Sequence, residues 1–288
     1  MKRKIERRRT VRIKRSALLK NNLQDIDRPA IKFAETTDEL EQTFSLAYKE
    51  YSKSGYIPEP KPSRLLFSIY NIHPETMVFI AKSYLTVIST LTLIFDSEMF
   101  GLPMDVIYRE ELDALRSQKR KVAELSALVT PKKARWKNIF MHLCQIMYQY
   151  SFYKGIDDLC ITVNPKHVRF YKSIFLFEDL GPEKHYPKVN APAVALRLNM
   201  NTVEKKLKDA YSAMDFECNL HTYFHKIAGK EKSEDNSAAS IKEKPLDIAT
   251  ARYFLSKDTS ILKGLSAAQR KYFESIYRGL EIDQISIN

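Results

Sequence analysis

The run Leu159-Cys-Ile-Thr-Val163 ends directly against Asn164-Pro165, and no other junction limits the folding of this chain as strongly. Four of the five residues are apolar and three are β-branched, the composition of a buried strand. An Asn side-chain oxygen caps a helix, and Pro at the first helical position gives up only an N–H that has no partner within the helix. A buried strand must therefore hand over at once to a helix, here predicted to reach Phe175. The same pattern occurs upstream, where Lys121 to Val129 reads as a strand closed by Thr130-Pro131. A long helix opening at that pair should run to about Lys154 and stop at Gly155.

The remaining elements fit around these two junctions. Ile31 to Ala34 is strand-like, and the helix after Thr36 carries Leu40, Phe44, Ala47, Tyr48 and Tyr51 at steps of three and four. After Pro58, Pro60 and Pro62, Ser63 to Tyr70 is expected to form a short helix. Thr76 to Lys82 and Leu85 to Phe95 form a predicted hairpin, 103–118 a helix, and Pro192 to Leu198 a further strand. The order gives a mixed α/β fold, a central sheet flanked by helices. Past Met200, one long helix is expected over 201–228, with Val203, Leu207, Ala210, Met214, His221 and Ala228 on one face. Residues 229–245 have the charged, aperiodic composition of a linker. A helical extension then fills 246–288. Two faces mark it, Ala249, Tyr253 and Phe254 on one helix and Ala268, Tyr272, Phe273, Ile276 and Tyr277 on the next.

Charge is concentrated at one end. Residues 1–20 hold ten Lys/Arg against one Glu, so +9 of the chain's +12 sits there and residues 21–288 carry +3. Residues 1–28 are thus a basic, flexible tail, and 29–200 form the main domain. A body of +3 argues against a broad nucleic-acid groove. The tail suits an anionic surface, with the inner face of a membrane as the expected contact. Within it, Arg8 and Arg12 resemble the RxxxR opening of the cyclic-di-GMP-binding PilZ domain, whose D/NxSxxG element is missing here. The longest uncharged apolar stretch, Tyr84 to Phe95, is too short to span a bilayer, and no apolar segment follows the basic start as in a secretory signal. Cys144, Cys160 and Cys218 lie far apart with no CxxC spacing, as expected of reduced thiols in a cytoplasmic protein.

Asn164-Pro-Lys-His-Val-Arg-Phe-Tyr171 fits the NxxAxxxY motif of GNAT-type acyltransferases, with His167 where Ala is usual. The wider stretch 164–199, with Ala47 to Tyr51 and Ser54 to Ile57 upstream, resembles the long-chain N-acyl amino acid synthases. These are GNAT-fold enzymes related to acyl-homoserine-lactone synthases. The resemblance spans roughly residues 30–200. It implies a GNAT-like domain that moves a fatty acyl group from an acyl-carrier-protein thioester to the α-amine of an amino acid by direct attack. No cofactor is expected, since the acyl-phosphopantetheine thioester is a co-substrate, with acyl-coenzyme A as the other donor of that chemistry.

Such a reaction needs a group to take a proton from the attacking amine. Glu124 stands where many GNAT enzymes place a glutamate, and alternation puts Val122, Glu124, Ser126 and Leu128 on one face of the strand. A salt bridge from Glu124 to Lys121 or Arg120 would account for the residue without catalysis. Backbone N–H groups near Leu125, Ser126 and Ala127 would hold the oxyanion. Tyr171 is the candidate acid for the departing thiolate, although it also suits helix-to-sheet packing. Val129, the helix start after it, Lys132, Lys133 and Arg135, together with Asn164, form the expected carrier and phosphopantetheine site. Trp136 and Asn138 replace the glycines that normally wrap a diphosphate, which favours a single phosphate on a carrier protein. Ala127 replaces the Arg usual in the lactone synthases, which favours amino-acid acylation. Arg64, Lys82 and Arg109 are candidates for the acceptor's carboxylate, and His185 belongs to the family-like stretch without an assigned role.

Two other functions fit parts of the chain. A coenzyme-A-dependent N-acetyltransferase would need the missing glycines, and a non-catalytic GNAT-like module would act through its basic tail on nucleic acid or membrane. Cys218, His221 and His225 fall at i, i+3 and i+7 of the expected long helix. They continue an apolar face with no HExxH acid, so packing accounts for them and no metal is expected.

Overall fold

The computed structural model describes residues 29–132, 134, 138–214, 218–225, 246–280 and 282. The tail over 1–28, the linker over 229–245, and Lys133, Arg135 and Trp136 lie outside the described residues.

Seven strands form one sheet: β1 (Ala30–Phe33), β2 (Met77–Ser83), β3 (Thr86–Phe95), β4 (Val122–Val129), β5 (Asp158–Val163), β6 (Glu178–Tyr186) and β7 (Ala191–Asn199). Their order across the sheet is β1-β2-β3-β4-β5-β7-β6. All neighbours are antiparallel except β4 and β5. The helices are α1 (Thr37–Lys53), α2 (Ile69–Ile72), α3 (Asp105–Ser117), α4 (Ile139–Tyr153), α5 (Pro165–Phe175), α6 (Met200–Tyr211), α7 (Leu220–His225), α8 (Ile248–Lys257), α9 (Ser260–Lys263) and α10 (Ala267–Ile276).

Strand alternation divides the core. Phe79, Ala81, Leu91 and Leu93 face α4, α5, α6 and α7 in one cluster. Val78, Ile80 and Val87 face the opposite way, onto α1 and the C-terminal helices, while α3 covers Ile94, Val122 and Cys160.

The Asn164-Pro165 junction forms as expected, with the Asn164 side chain accepting from Lys166 N–H at the start of α5. Other boundaries differ. Helix α4 begins at Ile139 and not at Thr130-Pro131, because Asn138 adopts a left-handed conformation (φ 53°) that a helix interior does not admit. Thr130 instead meets the Ser89 hydroxyl at 2.7 Å, and Ala134 N–H closes a turn onto the Pro131 carbonyl. Residues 65–68 are not helical: Arg64 has φ 52°, Leu66 N–H donates to the Phe44 carbonyl, and only Ile69–Ile72 coils. Strand β6 is not predicted by the sequence pattern. It is an edge strand, so it stays polar and tolerates Gly181 and Pro182, which erase the period-two signal. Its pairing with β7 shifts register at Gly181, where a Cβ would lie 2.8 Å from the Tyr108 ring.

The single helix expected over 201–228 is two. Asn219 separates them: its side chain donates to the Tyr211 carbonyl ending α6 and accepts from Thr222 N–H in α7. Met214, expected on the buried face, is 41% exposed.

The C-terminal helices dock on α1. Phe254, fully buried, meets Phe44 and Phe67 edge-on, and Tyr253 and Lys61 tie the two segments through Glu41 and Asp258. Truncating Phe254 to Ala should cost about 3–5 kcal/mol through the cavity it leaves. Urea unfolding of the full chain measures this. A loss under about 1 kcal/mol would mean that the extension does not share the core of α1.

Candidate active site

Strands β4 and β5 pair in parallel over four positions, Val122–Asp158 to Leu125–Ile161, and their pairing ends there. Asp158, buried between Arg120 and Arg197, pins the closed end of this fork. Beyond it, β4 bulges away: against β3, Thr92 faces Ser126 but Thr90 faces Val129, so β4 carries one extra residue. Ala127 takes up that residue at φ 47°, a conformation that costs a non-glycine residue about 1 kcal/mol. The bulge also corrects the face assignment. Glu124 lies on the side of Val122, whereas Leu128 joins Leu125 against the α4 and α5 cluster.

A cavity of about 480 Å³ passes through the open fork. One mouth lies among Tyr51 of α1, Ser68 and Lys188; the other limb runs between the sheet and helices α4 to α7, past Met147, Phe175, Leu207 and Phe224. Glu124, Leu125, Ser126, Ala127, Val129, Asn164 and Tyr171 all line it. Lys132 is exposed and does not. With α4 starting at Ile139, the helix end expected beside Lys132 is displaced along the chain. Tyr171 sits on the wall among Phe170, Phe175 and Phe177.

Glu124 is 3% exposed and makes no salt bridge with Lys121 or Arg120. Its Oε2 accepts from Met104 N–H at 2.8 Å. Burial pushes its pKa up to about 8; the Met104 bond and Lys188 oppose the rise, and Asp105 adds to it. Three phenols surround this carboxyl. Burial, and then the charge of Glu124 among smaller influences, raises Tyr51 and Tyr70 to about 12 and raises Tyr186 as well. Tyr70 and Tyr186 spend their hydroxyls on the Phe100 and Pro103 carbonyls, the loop that also supplies Met104 N–H.

Lys188 is the cation at this mouth. The residue as a whole is exposed, but its ammonium lies 5.9 Å from the centre of the Tyr70 ring. Desolvation there lowers its pKa, and Glu124 works in the opposite direction. None of the cations singled out from the sequence lines the cavity. Arg64 is exposed, Lys82 pairs with Glu39 at 2.8 Å, and Arg109 borders a separate cleft. His185 is exposed on β6, outside the cavity. Lys188 lies only three residues beyond His185, in the stretch that carried the resemblance, but a lone lysine after a proline has no signature. Cys218 does not join His221 and His225; Glu204 does, with one ligand atom from each of the three lying within 4.8 Å of the others.

A sheet forked between β4 and β5, with α5 opening at the Asn164-Pro165 cap, fits the GNAT-like fold expected from the sequence. The family model described as N-acyl amino acid synthase FeeM matches residues 42–199, and the chain belongs to that family of acyltransferases. The structure of FeeM itself, an N-acyl amino acid synthase from uncultured soil microbes, aligns with a TM-score of 0.56 at 26% identity, over 62% of this chain and 95% of that one. A coenzyme-A-dependent acyl-homoserine lactone synthase, BjaI, aligns at 0.49 and 16% identity, over 65% and 91%. The lactone synthase LasI aligns at 0.46 and 14%, over 61% and 91%. No curated protein sequence is significantly similar to the chain. Among the described residues, no helix is long and apolar enough to cross a membrane.

Because the folded pKa of Glu124 is about 8 against an ordinary 4.5, the folded protein keeps a proton that the unfolded chain releases. Stability is therefore greatest at low pH in this window and falls as pH rises from about 5 to about 8. Glu124→Gln keeps an acceptor for Met104 N–H and removes the titration. Its stability should match that of wild type near pH 5 and exceed it at about pH 8 in denaturant melts; parallel curves would refute the raised pKa.

Proposed function

We propose that the protein transfers a long fatty acyl chain from the phosphopantetheine thioester of an acyl carrier protein to the α-amine of an amino acid. The observation that carries this reading is the cavity through the β4–β5 fork. It places one buried carboxyl of raised pKa at the fork, with a polar mouth on one side and an apolar limb on the other. The likeness to FeeM, an N-acyl amino acid synthase, supports the same reaction class.

The roles follow from position. The acyl tail occupies the apolar limb, where Met147, Phe175, Leu207 and Phe224 exclude water from it. The thioester carbonyl lies in the fork. The acceptor enters from the Tyr51 side as an ammonium, and Glu124 removes one proton. A base with a pKa near 8 is well matched to that proton, whereas an ordinary carboxylate near 4.5 is too weak. The freed amine attacks the carbonyl carbon, and the oxyanion is held by backbone N–H groups where β4 leaves β5, near Leu125 to Ala127. Collapse expels the thiolate of the carrier, which takes a proton from Tyr171; the extra proton on the new amide nitrogen passes to the tyrosinate, directly or through water, which restores Tyr171 and leaves a neutral amide. No covalent enzyme intermediate forms, so Cys144, Cys160 and Cys218 take no part. Lys188 receives the acceptor's carboxylate, in place of Arg64, Lys82 or Arg109. Asn164 and the basic run Lys132, Lys133 and Arg135 bind the carrier, and the basic tail holds the enzyme at an anionic membrane face in the cytoplasm.

Purified protein incubated with acyl-carrier and acyl-coenzyme-A thioesters of several lengths and all twenty amino acids should yield an N-acyl amino acid by mass spectrometry. The rate with Glu124→Gln should fall by about 10²–10⁴. For wild type, kcat/KM should rise with pH until about 8, as Glu124 loses its proton. Lys188→Ala should raise KM for the amino acid by about tenfold or more while changing kcat less, the loss of one charge-assisted contact. Intact thioesters with no amide product would overturn the reading. A product made only from acyl-coenzyme A would overturn the choice of donor.

A further inference from the structure

A cluster on α6 and α7, beside residues that line the apolar limb, has a chemistry the acyl transfer does not use. Glu204 projects from α6, and His221 and His225 stand one turn apart on α7, their rings 5.0 Å centre to centre. One ligand atom from each lies within 4.8 Å of the others. His221 Nε2 is buried, makes no hydrogen bond, and sits 3.8 Å from Glu204 Oε1. A buried ring nitrogen without a partner is costly unless something occupies it. His225 is steadied by Tyr148, whose hydroxyl lies 3.0 Å from its Nε2.

We propose that Glu204, His221 and His225 bind a divalent transition-metal ion of the zinc class, which ties α6 to α7 behind the apolar limb of the cavity. Two imidazoles and one carboxylate are a donor set zinc favours, and they leave a fourth position for water. The separations exceed those of a closed tetrahedral site, and rotation of Glu204, whose side chain is 63% exposed, brings its oxygen in. Tyr148, Val203, Leu207 and Phe224 line the cavity and adjoin these ligands in space or in sequence. A bound ion therefore sets the separation of the two helices that form the floor of the limb. That consequence rests on the acyl-channel reading, whereas metal binding does not, so a zinc protein without acyl transfer would retire the reaction and keep the site.

The test uses the full-length chain, stripped with a chelator, dialysed and titrated with zinc chloride, with bound metal counted by mass spectrometry and melting temperature followed. One zinc per chain and a higher melting temperature are expected, with affinity reduced at least about tenfold in Glu204→Gln. That residue is largely exposed, so its variant should fold even where His221→Ala does not. Zinc no higher than in the dialysis buffer, or equal affinity in wild type, Glu204→Gln and His221→Gln, would overturn the proposal.

Discussion

Everything at the site depends on β4 and β5 separating after Leu125–Ile161. A parallel pair within a sheet normally continues its hydrogen bonding, and ending it leaves backbone groups that need other partners. The extra residue at Ala127 and the αL conformation it adopts direct β4 away. At the other end, the Arg120–Asp158–Arg197 group holds the two strands together. The opening is thus bounded by a charge cluster below and a bulge above, and the cavity is lined from both sides of the sheet there. Among the described residues, those lining this cavity come from both faces of the seven-stranded sheet.

Crossing the sheet puts two solvents in contact. The α1 side is lined by phenols, an ammonium and Glu124, and the α4 side by apolar side chains. Glu124 lies between them, and its environment sets its proton affinity. Burial dominates, and the single Met104 N–H bond falls short of offsetting it. A second strong donor would lower the pKa and make the carboxylate a weaker base. The tyrosines near it enclose the group without neutralising it, because Tyr70 and Tyr186 direct their hydroxyls to carbonyls of the Phe100–Pro103 loop.

The C-terminal helices support this arrangement from behind. Helix α1 contributes Tyr51 to the mouth on one face and buries Phe44 against Phe67 and Phe254. Tyr277 donates to the Ile72 carbonyl at 2.6 Å, and Gln269 to that of Met99 at 2.9 Å. The extension therefore braces the α1 and α2 wall of the site and the loop that leads to Met104.

Local signals determined much of this. Asn164-Pro165 caps a helix because its two residues satisfy or remove the first N–H groups, and that needs no tertiary partner. The β-rich runs of β2, β3 and β4 and the GNAT-like run from Asn164 were equally legible, and the family resemblance singled out Glu124 and Tyr171 as candidates. Tertiary structure decided the rest. Strand β6 escaped notice because an edge strand needs only one neighbour and can remain polar. The break at Asn219 was hidden because helical spacing continues in the sequence across residues that do not continue the helix. The face of Leu128 depended on a bulge encoded by an ordinary alanine. Lys188 and Glu204 became site candidates through proximity alone, since a charge has no periodicity, and its function depends on which distant side chains the fold brings within a few ångströms of it.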